Sequence, residues 1–395
     1  MEFRFSPEEE AWREEVRSFL EREITPQVRE ELRQKGFSKQ FHLKLAQAGI
    51  LAAALPKEYG GRGYGPLKQF IFNDELARAK MPFAGCSAIG NSVHVLGGML
   101  ISYGTEEQKR RWVPPIVRGE LISSQGLTEP NAGSDLASVE LRAVEDGDHY
   151  ILNGTKLYSN ALYATHMFAV TRTDPTVRKY QGISLFVVDL SSPGVSITPV
   201  ISIGGDRRAE VSFSDVRVPK FNLIGQKNRG WYHLVAGGGM MLERTQPTTW
   251  YRTKYALEEF IDFVKHARRE GQPLSKVPAV RYALAELAAE AKIGWLLNYH
   301  AACMMERRMD VLDREVPMAK LYLSELMERF ANTALDILGQ YGQLESWGLE
   351  QRWVPLKGDL AMEYRNSREQ QVGGGTSEIQ KNIIAMRGLG LPKSR

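Results

Sequence analysis

The amino-acid sequence predicts an α+β fold in three successive parts: helical, strand-rich, then helical again. Up to about residue 122, apolar residues recur at three- and four-residue spacing. The next hundred residues hold short runs rich in Val, Ile, Tyr, Phe and Thr, punctuated by turn residues. From Trp231 onward long helical patterns resume. The expected division is an N-terminal helical domain at 1–122, a middle antiparallel β domain at 123–228 and a C-terminal helical bundle at 229–395.

The first helix starts where Ser6, Pro7 and Glu9 supply an N-cap, a first-turn proline and a capping-box acid, ahead of Trp12, Val16, Phe19 and Leu20. Helical character continues over Phe41 to Ala53, Leu67 to Ala79 and around Ser92 to Ser102, with Pro56, Gly60, Gly61 and Gly63 marking a loop. Strands are expected at Val139 to Val144, Tyr150 to Leu152, His166 to Thr171, Ile183 to Val188 and Val211 to Phe213. Asp146, Gly147, Asn153, Gly154, Pro193 and Gly194 are among the turn residues between them. Ala279 to Met305 and Val316 to Leu338 have the lengths of bundle helices. A β domain followed by a bundle implies a cleft, a common place for a cofactor.

Composition narrows the function. With 395 residues, 43% hydrophobic and 25% charged, the chain is neither disordered nor of low complexity. Its 51 basic and 47 acidic residues leave a net charge of only +4 without a run of Lys or Arg, which argues against a nucleic-acid partner. Cys86 and Cys303 make neither a disulfide framework nor a CxxC site, favouring a reducing compartment. The seven histidines show no metal-ligand spacing. The acidic first ten residues do not read as a secretory signal, so a cytoplasmic location is expected. No uninterrupted apolar run reaches the roughly 18 residues of a membrane span.

Residues 126–135 read GLTEPNAGSD, at the passage from helices to strands. PKEYGG at 56–61, GTEEQKRRWVPPIVRGE at 104–120, DVRVP at 215–219 and GGTSEIQKNIIAMRGLGLP at 374–392 complete a set of five motifs in one order. Together they resemble the acyl-CoA dehydrogenase family over nearly the whole chain. The resemblance implies a C-terminal four-helix bundle and FAD held between the β domain and that bundle. It also implies α,β-dehydrogenation of an acyl-CoA thioester, with electron-transferring flavoprotein as the usual electron acceptor. Carried onto this sequence, it places Gln125, Leu127 and Thr128 at the isoalloxazine, and Gly133 and Ser134 near the pyrophosphate and the substrate's thioester arm. A glycine-containing turn suits that task because its backbone can approach closely and donate N–H groups. The stretch NGTKLYSNA at 153–161 is one residue shorter than the family pattern. Tyr158 is then the aromatic against the flavin and Ser159 the hydroxyl near N5, with Asn160 the alternative if the deletion falls elsewhere.

Many relatives carry the catalytic glutamate two residues before the Thr of the C-terminal GTS motif, where this chain has Gly374. A second family solution projects the acid from the first long helix of the C-terminal domain, just before an Arg; here that is Glu243, followed by Arg244 near the thioester. Gly374 would keep the backbone amide that donates to the thioester oxygen, so the two roles are divided between Glu243 and Gly374. Gly237, Gly238 and Gly239 just before suggest a late helix start or a bend. The subunit-bridging RxxFG motif is altered to ARREG at 267–271, leaving Arg268 to face pyrophosphate, and ALDILGQYG at 334–342 stands for the adenine-side motif, with Gly339 in it and Asp336 replacing the usual Gln. Thr376 and Glu378 occupy adenosine-side positions. A homo-oligomer, dimer or tetramer, is expected, and the altered motif opens a mixed assembly with a second paralogous chain. The rival readings are an acyl-CoA oxidase or flavin monooxygenase of the same fold, and a non-catalytic subunit.

Overall fold

The structure, a computed structural model, describes residues 4–236, 248–307, 314–345 and 354–392. The chain forms two compact units, one of Met1–Phe72, Met81–Ser202 and Asp206–Gln246, the other of Asn73–Lys80, Ile203–Gly205 and Pro247–Arg395.

Helix α1 (Pro7–Glu23) opens with both capping-box bonds, Glu9 N–H to Ser6 Oγ at 3.3 Å and Ser6 N–H to Glu9 Oε2 at 2.7 Å, and buries Trp12, Val16, Phe19 and Leu20. It is followed by α2 (Pro26–Lys35), α3 (Lys39–Gln47), α4 (Pro66–Arg78), α5 (Phe83–Ile89), a π-helical segment (Gly90–Gly97), α6 (Gly98–Tyr103) and α7 (Glu106–Val117). Judged by mean hydropathy instead of unbroken runs, Phe83–Tyr103 has the length and composition of a membrane span. Its most apolar window is 78% buried in the fold, however, which is how a core helix behaves.

The sheet runs β6-β7-β3-β2-β4-β5-β8 and is antiparallel over most of its pairings, as expected. The strands are β1 (Ser123–Gly126), β2 (Arg142–Asp146), β3 (His149–Ser159), β4 (His166–Arg172), β5 (Ile183–Asp189), β6 (Val195–Ile201), β7 (Arg207–Pro219) and β8 (Leu223–Ile224). Strands β1, β6 and β8 are additions to the sequence reading. β1 pairs in parallel with β4, Ser123 to Gly126 opposite His166 to Ala169, and β2 joins the same strand in parallel at Arg142 opposite Arg172. β1 and β2 therefore share one lane of the sheet, and the chain leaves that lane between them. The first unit's helices are tied to the sheet: Gln108 Nε2 donates to the carbonyls of Phe221 and Leu223 at 2.6 and 2.7 Å, and Ser92 Oγ accepts from Ser123 N–H at 2.8 Å.

In the second unit α9 (Thr248–His266), α10 (Pro278–Glu306), α11 (Glu315–Leu338) and α12 (Asp359–Val372) are followed by short α13 (Ser377–Ile383). Helix α8 (Gly230–Ala236) belongs to the first unit. Leu257, Phe260, Leu284, Leu287, Leu323, Met327 and Phe330 form part of the bundle core. Phe260 meets Phe330 edge to face at 6.2 Å.

Candidate active site

The excursion between β1 and β2 carries the GLTEPNAGSD motif, and a buried charge closes its neck. Glu129 accepts from the backbone N–H groups of Glu140 and Leu141, the latter at 3.0 Å, so one carboxylate holds the outgoing and returning strands together. Lys156 of β3 completes the arrangement, its Nζ lying 2.6 Å from Glu129 Oε1 and 3.0 Å from the carbonyl of Leu127. Lys156 is 0% and Glu129 3% exposed at the side chain, so the pair is fully withdrawn from water. Burial pushes the Lys156 amine down to about 8 while Glu129 opposes the change. Leu157 N–H donates to Thr128 O at 2.8 Å, continuing the tie to β3. Further out, a tight turn links Glu129 and Ala132 by reciprocal backbone bonds, and Arg172 donates to the carbonyls of Ala137 at 2.6 Å and Val139 at 3.2 Å.

The sequence-predicted residues sit on this fixed frame as follows. Gln125, Leu127 and Thr128 are half-buried, whereas Gly133 and Ser134 stand exposed at the loop's outer edge, where a Cβ at Gly133 would meet nothing within 4 Å. Tyr158 is 63% exposed and adopts φ 57°, a left-handed backbone rare for an aromatic residue. It lies in the register shift between Lys156 and Ser159, where β3 carries one residue more than β7, a bulge. Ser159 is buried with its Oγ turned toward the carbonyl of Ala209, and Asn160 Oδ1 accepts from Arg208 Nη1 at 2.9 Å. The two alternatives for the flavin N5 position are thus both engaged with β7.

In the second unit, Gly374 lies in a glycine turn between α12 and α13, with φ 67° there and 93° at Gly375. Two buried side chains hold it: Lys320 Nζ donates to the carbonyls of Gln370 at 3.0 Å and Gly375 at 2.9 Å, and Gln380 Nε2 donates to those of Gly374 and Gly375 at 3.0 and 3.1 Å. Thr376 caps α13, its Oγ1 accepting from Ile379 N–H at 3.2 Å. Glu378 is held below the usual carboxylate range by its own backbone N–H and by Thr376. Gly339 ends α11 at φ 61° with open space in its Cβ direction. Arg268 lies on a two-residue hairpin and turns back onto the carbonyl of Gly271 at 3.0 Å, while its neighbour Arg269 reaches the carbonyl of Ile337. Glu243, Arg244 and Gly237 to Gly239 lie outside the described residues.

Glu129, Lys156, Lys320 and Gln380 went unremarked in the sequence reading, although two carry a signal. Lys156 shares the strand parity of buried Tyr150 and Leu152, and Lys320 sits on the stripe of Val316, Ala319, Leu323 and Met327. A charge in an apolar phase of the pattern marks a buried, partnered group. The first unit's residues suit a dinucleotide such as FAD: a stapled loop with exposed glycine backbone, and an exposed aromatic two residues along β3 from Lys156.

Comparison with known proteins agrees. Family models described as the acyl-CoA dehydrogenase N-terminal, middle and C-terminal domains match residues 6–120, 124–216 and 228–389. The chain is 32% identical to "Acyl-CoA dehydrogenase FadE26" of Mycobacterium tuberculosis across 100% of both chains. Among solved structures it is similar to "Tcur3481-Tcur3483 steroid ACAD", with a TM-score of 0.89, 29% identity and 100% coverage of both chains. It is also similar to the ChsE4-ChsE5 complex from Mycobacterium tuberculosis, at a TM-score of 0.88, 31% identity and 100% coverage of both chains. The chain belongs to the acyl-CoA dehydrogenase family. It has that family's three-domain fold and is an oxidoreductase.

Proposed function

We propose that the chain is an FAD-dependent enzyme that converts an acyl-CoA thioester to the 2-enoyl-CoA, with domain boundaries at 122/123 and 228/229. FAD, when bound, supplies the acceptor for the β-hydride at N5. Gln125, Leu127, Thr128, Gly133, Ser134 and Tyr158 are assigned to it from the first unit, with Ser159, or Asn160 as the alternative, near N5, and Arg268, Gly339, Thr376 and Glu378 from the second. Glu243 takes the α-proton, the Gly374 amide donates to the thioester oxygen, and Ser134 and Arg244 orient the thioester arm. The observation that carries this reading is the stapled excursion: Glu129 and Lys156 tie its outgoing and returning strands together, which holds the loop's backbone in place, as electrostatic preorganisation requires. Electron-transferring flavoprotein is the proposed acceptor.

The test is Glu243→Gln, which keeps size and hydrogen bonding and removes the proton acceptor. General-base catalysis contributes about 10² to 10⁴ in rate, so anaerobic flavin reduction by the best of a panel of acyl-CoAs should slow by at least that range's lower end with FAD retained. Near-normal reduction would remove Glu243 from the mechanism. Slow reoxidation of the reduced enzyme in air is expected; rapid reoxidation would support the oxidase reading.

A mixed assembly is the second reading, because Arg268 turns back onto its own hairpin and the names of two structural relatives, Tcur3481-Tcur3483 and ChsE4-ChsE5, each pair two chains. A single-chain oligomer carrying a full complement of FAD would dismiss it.

A further inference from the structure

The glycine turn at 373–375 is gripped from inside the bundle by a side chain that the proposed chemistry does not use. Lys320 on α11 is 0% exposed, one of the largest fully buried side chains of the molecule. Its Nζ donates to the carbonyl of Gln370 in the last turn of α12, and to that of Gly375 beyond the turn. Gln380, also 0% exposed, donates to the carbonyls of Gly374 and Gly375. Three carbonyls around the turn are thus drawn inward.

Peptide geometry converts that grip into an outward effect. A trans peptide sets its N–H opposite its C=O, and there is no cis bond among the described residues. With the carbonyls of Gly374 and Gly375 turned toward buried donors, the N–H groups of Gly375 and Thr376 are aimed away from them. A carbonyl that accepts from an ammonium is polarised, so the Thr376 N–H, which shares its peptide with the Gly375 carbonyl, becomes a stronger donor, whereas the Gly374 N–H belongs to the peptide of the Gly373 carbonyl and is affected through the fixed turn and the nearby charge. Lys320 Cε also lies 4.0 Å from where a Cβ at Gly374 would stand, so the end of this side chain is a near neighbour of position 374.

We propose that Lys320 is a positioning residue for the reaction: it fixes the 373–376 backbone and adds positive potential there, so that the turn stabilises the negative charge that gathers on the thioester oxygen when the α-proton leaves. The inference rests on the assignment of the Gly374 amide to that oxygen. A charge on a mobile lysine would also attract the enolate, but would spend part of its effect on reorganisation; one held by two carbonyls acts without moving.

The test uses the FAD-loaded enzyme and the 3-thia analogue of the acyl-CoA that reduces the flavin fastest. Such an analogue can lose its α-proton but cannot pass a β-hydride, and its enolate gives a long-wavelength charge-transfer band with the flavin. The pH midpoint of that band reports enolate stabilisation independently of turnover. Lys320→Met, which keeps chain length and loses charge and donors, should raise the midpoint by at least about one pH unit, a tenfold loss, with FAD content retained. Lys320→Gln, uncharged with a shorter donor, should shift it the same way. A loaded variant with the wild-type midpoint would overturn the proposal, and so would loss of FAD from both variants, which would make Lys320 a scaffold residue alone. If wild-type flavin is reduced by no acyl-CoA, the dehydrogenase reading itself falls.

Discussion

Lys156→Met strikes the neck of the loop that carries GLTEPNAGSD. The substitution keeps the length of the side chain and leaves Glu129, 4% exposed, without its cation at 2.6 Å. Breaking a buried pair by removing one partner costs about 3–5 kcal/mol. Glu129 would still accept from the N–H groups of Glu140 and Leu141, so the lower end, about 3 kcal/mol, applies. At roughly 2–4 °C per kcal/mol for a unit of this size, Tm should fall by roughly 6–12 °C. Because the same carboxylate closes the excursion, FAD affinity should fall as well. The assay is thermal unfolding of the apoprotein followed by circular dichroism, with flavin titration in parallel, on Lys156→Met, Glu129→Gln and the double variant. The two groups form one network, so the double variant should be less destabilised than the sum of the singles. A Tm within about 2 °C of wild type for Lys156→Met, less than 1 kcal/mol on the same scale, or strictly additive losses, would refute the reasoning.

His42 and His94 are 2% and 7% exposed, and burial pushes each down to about 4. The unfolded chain therefore holds a proton between pH 4 and 6.5 that the folded one lacks, and stability should fall as pH falls through that window, by about 3 kcal/mol per histidine over its full width. A Tm-against-pH curve that His94→Phe does not flatten would count against this. Tyr158→Gly should leave Tm near wild type, since relief of the left-handed φ offsets the loss of an exposed ring, yet weaken FAD binding about fivefold, equivalent to an aromatic contact of about 1 kcal/mol. Unchanged flavin affinity would take Tyr158 out of the site. Sedimentation should find an oligomer, and a flavin-loaded species of 44.5 kDa would contradict that.

The long elements were legible because their periodicity is also their burial pattern: Trp12, Val16, Phe19 and Leu20 are all inside, under the cap that Ser6 and Glu9 announce. β1 was not legible, because Ser123, Ser124 and Gln125 lack β-branched or aromatic character and become a strand only by lying along β4. β6 is β-branched at Val195, Ile197, Thr198, Val200 and Ile201, but Pro199 interrupts the run, which only an edge strand tolerates; none of its residues is buried, and in the sheet order β7 is its neighbour. At the site, the motif located the loop, while its mechanics depend on Glu129 and Lys156, far apart in sequence, whose charges make sense only as a pair. The inward turn of Ser159 could not be read from a shortened motif, because it depends on how a bulge rotates the chain.

The parallel pairing of β1 with β4 also sets a timetable. Chains emerge from the ribosome N-terminus first, and β1 can be paired only after the excursion, β2 and all of β3 have been made. Until His166 arrives, the helices before residue 120 can form by local contacts, but the strand to which Ser92 ties them has no neighbour on its β4 side. The bond between Glu129 and Lys156 is available earlier, as soon as β3 is synthesised. During synthesis the stapled neck can therefore close ahead of the sheet lane on either side of it, leaving β4 to slide in afterwards and seal the helices to the sheet before β5 to β8 are made.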